Sequence, residues 1–238
     1  MSGHSKWANI KRQKQVNDLV RGNLFSKLSR AISLAVIEGG GITDSEHNVK
    51  LRLAVEKARQ LNMPKDNIAR AIERGAGPDR AQLKENIYEA YGPAGAAFMI
   101  LVTTDNVNRT LSEIRSILER HEGKLASQGS VAYLFRKCAM VVINKSDSKE
   151  EDVFRFAEEV NAFDIDEDET HFSIYIPFEN LRRIKGHVAE IDFKPLNPFP
   201  VTNEEHSKKI VSLVEVLEDH DDVQKVFTNA DIPEHLLK

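Results

Sequence analysis

The chain has 238 residues, 41% hydrophobic and 29% charged, with a formal net charge of -4, a balance that supplies enough apolar residues for real cores. No apolar run approaches the roughly 20 residues of a membrane span, and no apolar stretch of the secretory kind follows the N-terminal cations, so the expected location is cytoplasmic. The lone cysteine, Cys138 in KCAMVVIN, has no partner for a disulfide or a thiolate metal site, and it reads as a small buried hydrophobe on a strand.

The net charge hides an asymmetry. Residues 1–80 carry 15 Lys+Arg against 8 Asp+Glu, a net of +7, whereas the remainder is -11. A split of this kind points to a polyanion partner for the basic part. The charge is densest at the start, in GHSKWANIKRQKQ and just beyond. From His4 to Arg30 stand Lys6, Lys11, Arg12, Lys14, Arg21, Lys27 and Arg30 against the single acid Asp18, a net of +6 over 27 residues. Lysines and arginines that reach phosphates release condensed counterions and supply most non-specific nucleic-acid affinity. Trp7, the only tryptophan, has two readings: a ring that stacks on an unpaired base, or a hydrophobic clamp that pins the arm to the body.

Helix signals follow in chain order. Leu24, Phe25, Leu28, Ile32, Ala35 and Val36 recur at three-to-four spacing and predict a helix over 17–38, stopped by Gly39-Gly40-Gly41. A second helix starts at Asn48, a suitable N-cap, with Leu51, Ala54, Val55, Ala58 and Leu61 on one face. Pro64 opens a third, carrying Ile68, Ala71 and Ile72, which Gly75 or Gly77 closes. Its polar side offers Lys65, Asn67, Arg70 and Arg74, with Asp66 and Glu73 among them. A boundary is expected in GAGPDR, 75–80.

The apolar period then shifts to strands. IYEAYG, the turn GPAG and AAFMILVTT predict a hairpin; TDNVNRT supplies caps for a helix with Leu111, Ile114, Ile117 and Leu118 inward; VAYLF (131–135) reads as a strand. Over 138–199 the pattern is strand CAMVVI, helix EEDVFRFAEEV, strands AFDID and HFSIYIP, helix ENLRRIKGHVAEI, strand DFKPL, the split βαβ arrangement of ferredoxin-like domains. A helix over 204–219 and a strand at 223–227 complete the chain. The middle segment lacks a helix and a strand, and the C-terminal segment supplies both. The fold expected is therefore α+β: a basic arm and all-helical domain at 1–80, an α/β domain built from 81–135 plus 200–238, and a ferredoxin-like α/β domain, 136–199, inserted in it.

Little in the sequence suggests catalysis. Among the eight histidines no two lie at the i, i+4 spacing of a helical metal pair, and HExxH, CxxC and GxSxG are absent. The DIDEDE stretch opens like a calcium loop but has Glu169 and Tyr175 where an EF-hand needs Gly and Glu, so it reads as a solvated acidic hairpin. The segment 147–169 has eleven acids and a net charge of -9, read either as a solvated face or as a repellent that turns the basic face toward a polyanion. No cofactor, metal or small-molecule substrate is expected.

GHSKWANIK, the EGGG stop, LRLAVEKARQLNMPKDNIARAIERG, YEAYGPAG, TDNVNRT and GSVAYLF occur in an order and at spacings that resemble the YebC/PmpR family across essentially the whole chain. The opening motif matches from Gly3 to Lys11 and departs at Arg12-Gln13-Lys14-Gln15, where many members keep a more basic run. The resemblance implies a cytoplasmic, non-enzymatic nucleic-acid binder of three domains. The family includes bacterial proteins named as transcriptional regulators, a mitochondrial translational activator of a cytochrome oxidase subunit, and members linked to ribosomes stalled on proline-rich peptides. The binding residues expected are His4, Lys6, Trp7, Lys11, Arg12, Lys14, Arg21, Lys27, Arg30, Lys65 and Arg70. Three roles stay open: DNA-directed regulation of transcription, RNA or ribosome binding in translation, and adaptor work through the acidic remainder.

Overall fold

The computed structural model describes residues 18–78, 83–184 and 186–236. Three helices come first: α1 (Asp18–Glu38), α2 (Val49–Gln60) and α3 (Lys65–Ala76). Their stripes meet in one core of Leu28, Ile32, Ala35, Val36, Leu51, Val55, Ala58, Ile68 and Ala71. Asn48 caps α2 by accepting from Leu51 N at 3.0 Å, and its Nδ2 donates to Ala35 O at 2.8 Å. That side chain explains the glycine run. A Cβ on Gly39 would lie 2.2 Å from Asn48 Nδ2, while Gly40 and Gly41 take φ of 72° and 90°, the region that favours glycine.

The first sheet runs β3-β1-β2-β9, all antiparallel, with β1 (Lys84–Tyr91), β2 (Ala97–Thr104), β3 (Lys124–Leu125) and β9 (Val223–Thr228). Successive residues of β2 point to opposite faces. Phe98, Ile100 and Val102 enter a core with Ile114 and Leu118 of α4 (Val107–Arg120) and Ile210, Leu213 and Leu217 of α6 (Glu204–Asp219). Ala97 and Met99 face the other way, toward Phe135, Phe193 and Phe227. The second sheet runs β5-β6-β4-β7, again antiparallel, with β4 (Phe135–Asn144), β5 (Asp164–Glu167), β6 (His171–Pro177) and β7 (Ala189–Pro195). Numbered within itself this order is 2-3-1-4, the split βαβ sheet of the ferredoxin-like fold, with α5 (Glu150–Glu159) packed on it. The first sheet draws its strands from either side of the stretch that builds the second, and β8 (Phe199–Pro200) pairs with β10 (Ala230–Asp231) as the chain returns. The fold is thus a helical N-terminal region followed by antiparallel sheets. No helix among the described residues is long and apolar enough to cross a membrane.

Two expected elements differ. VAYLF is not a strand: Ala132–Leu134 is a 3-10 turn, Phe135 opens β4, and the edge strand of the first sheet is the short Lys124–Leu125. The reason is that the buried Glu89 takes the backbone N–H groups of Val131 and Ala132, so they cannot join a ladder. The expected helix ENLRRIKGHVAEI is a 3-10 turn over Phe178–Arg183 followed by β7. Leu181 and Ile184 are buried as its period required, but Gly186 at φ 75° turns the chain and residues from Ala189 pair with β4. In α3, Gly75 lies within the helix and Gly77 is the C-cap.

Ion pairs tie the three layers together. Glu190 of β7 contacts Lys57 of α2 at 3.1 Å and Lys225 of β9 at 3.6 Å, and Lys225 also bonds Asp192 at 2.7 Å. Burial disfavours the Lys225 ammonium, yet Asp192 and Glu190 hold its pKa above the ordinary lysine value. Cys138 lies beside this junction, fully buried, its thiol pushed up to about 12 chiefly by burial. A thiol so protonated is no nucleophile.

Candidate nucleic-acid interface

His4, Lys6, Trp7, Lys11, Arg12 and Lys14 lie outside the described residues, as does the side chain of Arg21. Lys27 and Arg30 stand on α1 with Asn23, at spacings that put all three on one helix face. That face meets the end of α6. Asn23 Nδ2 donates to Asp219 O at 3.0 Å, Lys27 Nζ donates to Glu218 O, and Arg30 donates to Asp221 O at 2.8 Å and to Asp222 Oδ1 at 2.5 Å. Terminal helix carbonyls lack intrahelical partners, and cations there also meet the negative end of the helix dipole. The two cations therefore make an internal joint. Lys65 and Arg70 are exposed on α3, where Arg70 donates to Asn67 Oδ1 and, through Nε, to Asp66 O at 3.3 Å.

Asp222 is the hub of that joint and was not visible as such in the sequence. Its side chain is 4% exposed. Arg109 Nη2 donates to its Oδ2 at 2.9 Å, and Thr110 Oγ1 lies 2.6 Å from the same oxygen and 2.8 Å from Thr104 Oγ1. Burial pushes the carboxyl up; the bonds from Thr110 and Arg109 and the charge of Arg30 outweigh it and hold the pKa below the ordinary aspartate value. TDNVNRT is thus a structural motif. Thr104, Arg109 and Thr110 gather on Asp222, and Asn106 caps α4 by accepting from Arg109 N at 3.1 Å.

Beside the hub lies an open groove of about 770 Å³ lined by Arg30, Arg109 and Arg120 but also by Glu113, Asp219, Asp221 and Asp222. Three cations facing four acids give neither an anion site nor a cation site. Glu113, His220 and Asp222 bring ligand atoms within 4.8 Å of one another. Two guanidinium groups already hold the Asp222 carboxylate, and a metal ion there would face both. His220 Nδ1 accepts from Asp222 N at 3.1 Å, which leaves Nε2 to donate to Glu113 at 2.9 Å, so both ring nitrogens already have partners.

The acidic hairpin is also partly neutralised by the protein itself: Lys194 pairs with Asp164 at 2.7 Å and Asp166 at 3.1 Å, and Lys145 with Glu167 at 2.6 Å.

YEAYGPAG and GSVAYLF meet in space. Glu89, 6% exposed, accepts from Gly129 N at 2.6 Å, Val131 N at 2.7 Å and Ala132 N at 2.9 Å, while its own carbonyl accepts from Ala126 N at 2.8 Å. Burial raises the Glu89 carboxyl; the three backbone donors prevail and hold it below the ordinary glutamate value. Tyr91 adds a bond from its hydroxyl to Ser130 O at 3.0 Å. A turn of successive N–H groups closed on a carboxylate is an anion nest whose anion is internal.

The three N-terminal helices and two antiparallel sheets are joined by ion pairs, and the polar clusters between them are occupied by the protein's own charges, which makes this a mixed helix-and-sheet protein. The N-terminal domain model of TACO1/YebC proteins matches residues 5–78, and the model of their second and third domains matches residues 83–230. The chain belongs to the TACO1/YebC family. It is 42% identical over 250 residues to a protein of Halothermothrix orenii, covering 100% of this chain and 98% of that one. It is 43% identical over 243 residues to one of Caldanaerobacter subterraneus, covering 98% and 99%. Both carry the name "probable transcriptional regulatory protein". The crystal structure of a conserved hypothetical protein of Aquifex aeolicus superposes with a TM-score of 0.82 at 40% identity, over 93% of this chain and 94% of that one.

Proposed function

We propose that this chain is a non-enzymatic, nucleic-acid-binding regulatory protein of the cytoplasm that grips the sugar–phosphate backbone through its N-terminal segment. The observation that carries the reading is the net charge of +6 from His4 to Arg30 in a chain whose total is -4. Lys27 and Arg30 are engaged at the α6 joint, so the reading rests on Lys6, Lys11, Arg12 and Lys14, with His4, Trp7 and Arg21 beside them and Lys65 and Arg70 as auxiliary contacts. The names of its relatives support DNA-directed regulation of transcription.

A second reading, binding to RNA or the ribosome in control of translation, is favoured by the state of α3. Duplex readout in the major groove needs Arg, Asn or Gln free to meet base edges. Arg70 and Asn67 are bonded to each other, and Asp66 and Glu73 share the helix.

Binding to random duplex DNA, to a promoter fragment and to purified ribosomes across a salt series separates the readings. A regulator of transcription prefers the promoter by roughly 10³-fold or more; a translation factor co-sediments with ribosomes and shows no promoter preference. The triple change Lys11→Ala, Arg12→Ala, Lys14→Ala flattens the duplex salt slope by about 0.9 per lost phosphate contact. An unaltered slope removes the arm from the account.

A further inference from the structure

We infer that the turn over 127–133, with Tyr133 at its end, is a second contact surface that stacks on unpaired bases of RNA; this rests on the second reading above. Tyr133 is 68% exposed, above Leu196 at 55% and Phe154 at 47% among the exposed large apolar residues described. Its backbone is fixed from several sides. Glu89 holds three of the turn's N–H groups, Ser130 N donates to Ser127 O at 3.1 Å, Leu134 N donates to Val131 O at 2.9 Å, and Val131 is fully buried beneath. A ring displayed on backbone already ordered loses little entropy when a partner stacks on it.

The surroundings fit a nucleotide. Tyr91, 39% exposed, lies against the turn through its bond to Ser130 O. Opposite Tyr91 in the ladder stands Lys124 on the edge strand, exposed, with no described carboxylate paired to it. Ser127 and Gln128 are exposed on the turn. No acid occurs from Gly123 to Ser146, although the chain beyond residue 80 is -11 overall. Two rings, a cation for phosphate and hydroxyl and amide groups for base edges are the chemistry of a single-strand platform. A protein hot spot would set its tyrosine in an apolar, desolvated surround.

The test uses the full chain and three labelled probes: a short unstructured RNA, the same RNA with abasic sites, and duplex RNA. Tyr133→Ala is expected to weaken the unstructured RNA by about 5-fold to 150-fold, the range one stacked base supplies. Tyr133→Phe retains the affinity, the salt slope stays as in the parent because stacking releases no counterions, and on the abasic and duplex probes Tyr133→Ala matches the parent. Unaltered affinity of Tyr133→Ala for the unstructured RNA, or an equal loss on the abasic probe, overturns the inference while leaving the arm's role standing. So does loss of a captured protein partner with RNA affinity intact. If the parent binds none of the three RNAs, and ribosomes fail to co-sediment, both this inference and the translation reading fall.

Discussion

A single carboxylate shows how one residue sets a local structure. Glu89 closes the turn over 129–132 by accepting three backbone donors while almost fully buried. Glu89→Gln keeps the shape but replaces one acceptor oxygen by an NH2 group that faces a backbone N–H. The charge-assisted bonds are lost and a buried donor goes unmet, a cost of about 2 kcal/mol. The pH dependence follows from the direction of the shift. The folded carboxyl lies below its ordinary 4.5, so its contribution is complete above that pH and fades as the pH falls through it toward the lower folded value. Urea unfolding of parent and Glu89→Gln should therefore differ by the full amount at neutral pH, with the gap narrowing as the pH falls below 4.5. A gap that persists undiminished in acid would show that Glu89 stabilises the turn by shape and not by charge.

Elements pack by the same logic, and Gly75 shows it on α3. A Cβ there would lie 2.6 Å from Ser33 O and 2.8 Å from Val36 Cβ, and Ser33 Oγ donates to Ala71 O at 2.7 Å, so α3 and α1 touch backbone to backbone. Alanine is the better helix former by about 1 kcal/mol. Against that, overpacking a backbone contact costs about 1–3 kcal/mol, and the clash is with a carbonyl that cannot rotate away. Gly75→Ala is expected to lower the thermal midpoint, as read by circular dichroism; a raised midpoint would mean that the two helices slide apart freely. The helices were legible because each buries one stripe: the sequence placed α2 after its Asn48 cap and α6 over 204–219, where they stand. What escaped was set by distant partners. VAYLF carries the residues of a strand, but Glu89, 42 residues from Val131, takes its donors. Lys27 and Arg30 read from the sequence as phosphate ligands, and the structure engages both with residues 218–222; a cation opposite an apolar stripe faces either solvent or another unit, and local spacing cannot tell which. The partner, Asp222, is 192 residues away from Arg30.

On the scale of the whole molecule, the helical unit has two joints of unlike chemistry. Toward the first sheet the contact is polar, with Asn23, Lys27 and Arg30 reaching the 218–222 turn. Toward the second sheet it is largely apolar: Leu53 of α2, 7% exposed, sits in the core with Val141, Phe172 and Ile184, and Val49 packs beside it. Apolar burial is not weakened by ionic screening, whereas a partly exposed ion pair is. Asp222→Asn leaves Arg30 and Arg109 without their shared anion. Breaking one side of a buried pair costs about 3–5 kcal/mol, and the lower end applies because Arg30 and Arg109 are partly in water. Acid acts on the same group: its folded pKa lies below 3.8, so its contribution is complete above that pH and is lost as the pH falls beyond it through the lower folded value. In hydrogen exchange at neutral pH, Asp222→Asn should lose protection first along residues 22–30 of α1. The helices would remain attached through α2, whose amides keep their protection. Leu53→Ala should do the reverse, loosening α2 against the second sheet at about 2–5 kcal/mol while the start of α1 stays docked. Equal loosening of α1 and α2 in Asp222→Asn would show that the three helices detach as one body and that the polar joint alone holds them.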